Sequence, residues 1–528
     1  MGAMDVSTPA STEPQPTAKP APTWFDTLRA VWDRRVLIML LLGFSAGVPI
    51  LLIFSSLSLW LIEAGVERRA VTFFSWAALG YSFKFVWAPL VDRLPLPLLT
   101  SLLGRRRAYL LLAQLGVVGS IVGMALTDPS SGGAALTAMA LFAVLLGFTS
   151  ATQDIVIDAY RIEIAKPEQQ GLLSSAYIAG YRLGMIVAGA GALFLASMWG
   201  SERGSYSYEA WQWTYFTMAA AMGVGLLTTL LSPEPKAREG QAMLAPAGQQ
   251  ARLLMVFVCS VLGFVGTFVL LGGVVKPWQQ GPLLTTLLEA LRMLLALGVA
   301  FVVGGFLVRA GAASAEQARI TWVDPVRDFF TRYGVGTAVL LLALVGLYRI
   351  SDIVQGVISN VFYQDMGFSK PEIASAVKTY GVIISIAGGF MGGILATRFG
   401  VMRALMWGAI LAAGTNLLFI VLANQGYNLL LLYAVVSADN LAAGFASAAF
   451  VAFLSSLTNI SFTAVQYAIF SSLMTLLPKT LGGYSGGMVD AMGYPWFFAL
   501  TAIIGVPVML LVWLAGRRMH IKEPVLKT

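Results

Sequence analysis

Asp154 and Asp158 stand four residues apart in a run that is otherwise apolar from Leu136 to Tyr160. A helix puts positions i and i+4 on one face, so both carboxylates leave the same side of one span. Carboxylates are too costly to turn toward hydrocarbon. Ionisable groups at membrane depth face a bundle interior or a wet cavity, where they mark substrate or proton paths. Lys84 lies two turns from Asp92, about 12 Å at 1.5 Å per residue. Asp154 and Asp158 reach a similar depth from the same side, so a buried ion pair between two spans is expected. Such a group is either a static strut or a proton switch. Burial disfavours a charged carboxylate, a nearby ammonium favours it, and a rocking helix changes which effect wins. Asp158 is read as nearer water and Asp154 as the proton carrier, with Asp439 a further acid at depth.

Arg182, about twelve residues into its span with Tyr177 and Tyr181 beside it, places a guanidinium near mid-membrane. Its planar fork suits a substrate carboxylate or phosphate, unless Asp154 or Asp439 neutralises it. Arg349 and Asp352, one turn apart, either neutralise each other or contact substrate, and Gln355 and Asn360 continue the polarity of that span. Asp439-Asn440 lies mid-span; Gln466 and Lys479 lie on the next span, where Pro478 is expected to break the helix and free backbone groups for a cavity. These residues are the substrate-binding candidates. Glu289 and Arg292, three residues apart in another span, read as a self-paired patch.

A second constellation sits at a turn: Asp92-Arg93, then Gly104-Arg105-Arg106-Arg107, with Arg398 at the corresponding turn later in the chain. It reads as a gate, an acid capping a neighbouring helix and an arginine pairing across the bundle. Plain orientation charge is the other reading, but orientation has no use for Asp92.

The elements that must hold these groups are membrane helices. The 528 residues are 58% hydrophobic and 11% charged, against roughly 25% charged for a soluble domain, which excludes a soluble enzyme. The net charge of +8 is scattered over short connections, with no aromatic-studded patch for nucleic acid. The one cysteine and the one histidine leave no disulfide framework, no cysteine metal site and no histidine relay, and no phosphate-binding GxxxxGK[ST] loop is present. Neither a catalytic constellation nor a cofactor is expected.

Fourteen runs approach the roughly 20 apolar residues a span requires, beginning near Val36, Ala70, Ala108, Leu136, Leu172, Trp211, Leu253, Leu283, Val335, Ile373, Met402, Leu429, Ser461 and Trp496. Lysines and arginines crowd one set of connections and leave only Arg68, Arg69, Arg203, Lys276 and Lys370 on the other, so both termini are expected in the cytoplasm. Residues 1–33 read as a disordered cytoplasmic lead, 34–231 as one six-helix half, 232–334 as cytoplasmic loops with two additional helices, 335–516 as the second half and 517–528 as a cytoplasmic tail. A repeat supports the halves. Glu63-Ala64-Gly65 closes the first span as Asp365-Met366-Gly367 closes the ninth, and the Gly104 turn recurs at Gly400. Two six-helix halves plus two helices between them describe an all-α polytopic protein of the major facilitator fold, whose halves rock about a central site.

The stretches Tyr81 to Arg93 (YSFKFVWAPLVDR), Gln153 to Arg161 (QDIVIDAYR) and Asp439 to Ser456 (DNLAAGFASAAFVAFLSS) resemble the AmpG-type muropeptide permeases of the major facilitator superfamily, a branch shared with acetyl-coenzyme A transporters. The resemblance implies a proton symporter of the bacterial inner membrane. It would import anhydromuropeptides for peptidoglycan recycling and, in many bacteria, β-lactamase induction. Its expected partners are the muropeptide, protons and the bilayer, not nucleic acid, and a monomer is expected. A carrier of acetyl-coenzyme A or another organic anion is the alternative.

Overall fold

The computed structural model describes residues 32–53, 55–66, 81, 83–201, 205–236, 245–246, 248–275, 282–482 and 485–519. Among them, twelve helices are long and apolar enough to cross a membrane. In chain order the helices are α1 (Arg34–Glu63), a short α2 (Ala88–Arg93), α3 (Arg105–Ala125), α4 (Gly133–Ile164), α5 (Gln170–Met198) and α6 (Tyr208–Leu231). Next come α7 (Gln250–Val275), α8 (Pro282–Arg309) and an amphipathic α9 (Asp324–Tyr333). The chain continues with α10 (Val335–Asp365), α11 (Ser375–Phe399), α12 (Val401–Gln425), α13 (Leu429–Leu457), α14 (Thr463–Gly482) and α15 (Ser485–Arg518).

Two of the fourteen expected spans are not among the twelve. The run from Ala70 lies largely outside the described residues. The run from Ser461 folds as α14, whose apolar stretch Ile460–Thr475 is shorter. α14 also continues through Pro478, where a break was expected. A proline removes one intrahelical donor, and in a bundle the packed neighbours satisfy the freed carbonyl without ending the helix.

The repeat seen in the sequence is a repeat of cap geometry. Gly65 and Gly367 both take positive φ (79° and 91°). Val66 N–H reaches Leu61 O at 2.9 Å as Phe368 N–H reaches Tyr363 O at 3.1 Å, so the first helix of each half ends in the same Schellman turn. Gly104 and Gly400, at φ 87° and 93°, likewise start α3 and α12.

Close helix pairs position the candidate site. A Cβ added to Gly43 or Gly47 would strike the carbonyl oxygens of Tyr177 and Tyr181, and one on Gly180 or Gly184 would strike those of Leu40 and Phe44. Small residues let α1 and α5 approach backbone to backbone, and α5 carries Tyr177, Tyr181 and Arg182. Gly388, Gly392 and Gly444 do the same for α11 and α13, the helix of Asp439. Gly180→Val is therefore expected to cost at least the 1–3 kcal/mol typical of overpacking. A lowered melting temperature of the purified protein checks this, and unchanged melting would show that the pair yields elsewhere.

The additional helices α7 and α8 pack mainly on each other. Arg292 Nε donates to Phe268 O at 2.7 Å and its guanidinium lies 3.7 Å from that ring's centroid, while the expected pairing with Glu289 falls outside the described residues. The Glu289 side chain lies outside the description.

Candidate functional site

The site has two tiers. One lies at the end of the bundle rich in arginine, here the basic end. Asp92, at the close of α2, is buried. Its Oδ1 accepts from Arg106 Nη2 at 2.7 Å, and its Oδ2 accepts from the backbone N–H groups of Ala464 and Val465 at 3.1 and 3.2 Å. The carboxylate thus caps α14, a helix of the other half, at its positive end. Arg106 also donates to Glu163 Oε1 (2.6 Å), Glu163 Oε2 (3.0 Å) and Thr463 Oγ1 (2.8 Å), and Thr463 donates to Glu163 at 2.6 Å. Arg105 adds an ion pair to Glu163 at 3.2 Å. Two carboxylates, two guanidiniums and one helix start are therefore bonded together across the halves, with Arg106 Nη1 the donor left without a partner among the described residues. At the same end Ser175 Oγ of α5 donates to Gly389 O of α11 at 2.7 Å, closing a second seam.

Arg93, expected with this gate, turns aside. Its Nη2 donates to Gln317 Oε1 at 2.8 Å in the segment before α9, whereas Arg106 and Arg161 bond across the halves to Thr463 and Ser455. The reason is direction, since Arg93 follows Asp92 and leaves the short helix about 100° round from it. Arg398 closes α11 with its guanidinium 5.7 Å from the Phe399 ring centroid.

The second tier lies deeper. Lys84 Nζ stands 3.5 Å from Asp154 Oδ2 and 3.5 Å from Asp158 Oδ2. Tyr177 OH donates to Asp154 Oδ1 at 3.0 Å. Asp158 Oδ1 pairs with Arg161 Nη2 at 3.2 Å, and Arg161 Nη1 donates to Ser455 Oγ of the other half at 2.7 Å. The expected order of exposure is reversed, with the Asp154 side chain 13% exposed and that of Asp158 7%. Arg161 folds back over Asp158 and shields it.

In the other half, Arg349 Nε lies 3.1 Å from Asp352 Oδ2 and its Nη1 donates to Ser447 Oγ at 2.6 Å. Asp439 lies within electrostatic range of both Asp352 and Arg349. Arg182 makes no hydrogen bond or ion pair with any described residue. Its electrostatic neighbours are Tyr181, on its own helix, and Arg349, across the halves. Gln355 is buried, and its Nε2 has no partner among the described residues. Asn440 Nδ2 donates back to Val436 O at 3.0 Å.

Gln466 requires correction. It sits at the basic end, where its amide donates to Pro325 O and Asp328 Oδ2 and accepts from Arg332 and the Asn459 N–H. With both donors and its oxygen engaged it has nothing to offer a substrate; it ties α9 to α14. The side chains of Lys479 and Asn360 lie outside the description.

The residues missed in the sequence were Arg161, Glu163, Thr463 and Ser455. Arg161 reads there as an orientation charge, yet it is fully buried, as Glu163 is nearly so. One signal was available, because Arg161 follows Asp158 at the i,i+3 spacing of a helical ion pair.

Two lobes of apolar helices, latched at one end and lined with charge within, define a membrane transporter. The match to the Major Facilitator Superfamily model covers residues 70–355. The chain belongs to the major facilitator superfamily, within its AmpG-type branch. It is 30% identical over 486 residues to the anhydromuropeptide permease of Escherichia coli K12, covering 92% of this chain and 80% of that protein. It is 28% identical over 490 residues to putative transporter AmpG 4 of Rickettsia conorii, covering 93% and 98%. Among solved structures it resembles the proton:xylose symporter XylE (TM-score 0.56, 14% identity, 91% of this chain and 94% of that one). It also resembles a bacterial homologue of the iron transporter ferroportin in its outward-facing state (TM-score 0.57, 10% identity, 92% and 98%). At those identities the likeness shows the fold alone.

Proposed function

We propose that this protein imports N-acetylglucosaminyl-1,6-anhydro-N-acetylmuramic acid and its peptides across the bacterial inner membrane, as a monomer, by alternating access and in symport with protons. The observation that carries the reading is Arg182, a guanidinium without a partner among the described residues, within electrostatic range of Arg349 of the opposite half. An unbalanced cation in a membrane interior calls for an anion. A muropeptide brings peptide carboxylates, and the polar groups of Tyr177, Gln355 and Asn440 suit its amide-bearing sugars. Bound between Arg182 and Arg349, such an anion removes the repulsion between two like charges and lets the lobes close over it. The relatives' names support the substrate class.

Proton coupling is assigned to Asp154, held between Lys84 and Tyr177, with Asp158 and Lys84 as its electrostatic partners and Asp439, beside Asp352 and Arg349 in the other half, as a further acid on the path. With the basic end in the cytoplasm, the proton gradient drives inward movement, each charge being worth about 2.3 kcal/mol per 100 mV. Uptake of labelled anhydromuropeptide into membrane vesicles, with and without a proton ionophore, tests the whole reading. Failure of excess unlabelled muropeptide to compete where a coenzyme A ester does would transfer the assignment to an organic-anion carrier. Asp154→Asn is expected to abolish accumulation driven by a pH gradient while leaving counterflow exchange within a fewfold of wild type. Accumulation that survives in this variant removes Asp154 from the proton path.

A further inference from the structure

A cavity of roughly 610 Å³ opens at the basic end, away from Lys84, Arg182 and Arg349. Its walls come from both halves. Gln170 lies in the N-terminal half, while Arg332, Thr337, Ser456, Thr458 and Arg518 lie in or beside the C-terminal half. No carboxylate is among the described lining residues.

Its donors are held in place. Arg332 is anchored by Asp328 (2.8 Å from Nε) and by Leu457 O and Gln466 Oε1 (3.1 and 3.0 Å from Nη2), and its guanidinium lies 5.1 Å from the ring centroid of Tyr333, a wall residue; Nη1 takes no part in the anchoring bonds. Asp328 is itself held by Asn459 and Gln466, so its charge is shared several ways. Arg518, exposed at the end of α15, reaches over Gly336 at the start of α10 and makes no ion pair with any described residue. The Thr337 hydroxyl likewise makes no hydrogen bond within the described residues, and Lys166 flanks the N-terminal wall between the lining residues Ala165 and Pro167. Ser456 and Thr458 donate to carbonyls of their own helix and serve as wall rather than as donors. On the N-terminal side Gln170 is pinned by Arg161, the arginine that also holds Ser455, so this wall is tied to the closed seam.

We propose that this cavity is a binding site for a phosphate-bearing anion, gripped by Arg332, Arg518 and Thr337. Guanidinium forks match phosphate oxygens in pairs, and a cavity whose described charged lining is cationic concentrates anions. Because both halves contribute walls, the site is complete only while the basic end is shut, and its ligand stabilises that state. The site shares no residue with the transport site and stands whether or not the transported solute is a muropeptide.

The test uses the full chain in nanodiscs of zwitterionic lipid, with both faces accessible. Labelled pyrophosphate is expected to bind at one site per chain. Arg518→Gln should weaken binding at least tenfold, and Thr337→Val about threefold. Arg517→Gln removes the same charge one residue away, where the guanidinium stacks 3.9 Å from the Trp513 ring centroid, and should leave binding within twofold. Dioctanoyl phosphatidylglycerol separates the possible sources of the phosphate. Binding of this lipid, lost in Arg518→Gln, with none of pyrophosphate assigns the site to a lipid headgroup, whereas pyrophosphate binding untouched by the lipid assigns it to a soluble anion. Absence of binding by both probes, or equal weakening in Arg517→Gln and Arg518→Gln, overturns the proposal.

Discussion

Arg106→Gln is expected to open the basic end. The change removes four hydrogen bonds, to Asp92, to both oxygens of Glu163 and to Thr463, and leaves two carboxylates buried with one guanidinium between them. Breaking a buried network by removing one partner costs about 3–5 kcal/mol. Nearly all of that cost falls on the closed arrangement, because water reaches the carboxylates once the lobes part. At about 1.4 kcal/mol per tenfold, the ratio of closed to open protein drops by roughly two to three and a half powers of ten. A Ser175→Cys reporter in a Cys259→Ala background reads this directly, since Ser175 is buried in the seam against Gly389. Thiol labelling should accelerate by roughly a hundredfold or more in Arg106→Gln. The double variant Arg106→Gln/Glu163→Gln should recover most of the protection, because removing both partners leaves less charge uncompensated. Labelling equally slow in wild type and Arg106→Gln would show that the glycine seam alone holds the lobes together.

Arg182→Gln should abolish substrate binding while leaving the fold intact. Arg182 has no partner among the described residues, so the change orphans nothing within the protein and relieves its repulsion with Arg349. Stability should therefore be unchanged or higher, a signature that a structural arginine would not give. Losing one partner of a buried charge pair costs about 2–5 kcal/mol, or thirtyfold and upward in apparent affinity for an anionic substrate. Arg182→Lys keeps the charge but not the fork, and should recover only part of the affinity. Melting temperature and equilibrium binding of labelled anhydromuropeptide together decide the matter. A destabilised Arg182→Gln that binds normally would make this residue a strut.

Much of the fold is legible along the chain. Hydropathy is a local property, so most spans declare themselves. The Gly65 and Gly367 caps follow from the demand of a left-handed turn at the end of each half's first helix. The depth of Lys84, Asp154, Asp158, Arg182, Arg349 and Asp439 follows from counting residues at a fixed rise. What counting cannot supply is azimuth across helices. Gln466 and Arg161 illustrate this from opposite directions, one a polar group assigned to the substrate and found tying α9 to α14, the other an orientation charge found buried beside Asp158 and bonded across the halves to Ser455.

The sequence by itself determined that this is a polytopic helical membrane protein of duplicated halves carrying charge at depth, because the cost of desolvating an ion is paid residue by residue. Only the tertiary structure decided which charges neutralise one another and which stay open. Asp92 meets a helix start more than three hundred residues away, Glu163 and Thr463 complete the latch, and Arg182 is left without a partner among the described residues, within electrostatic range of Arg349. Pairing energy depends on distances of a few ångströms between helices remote in sequence, and those distances exist only once glycine contacts have brought the helices together.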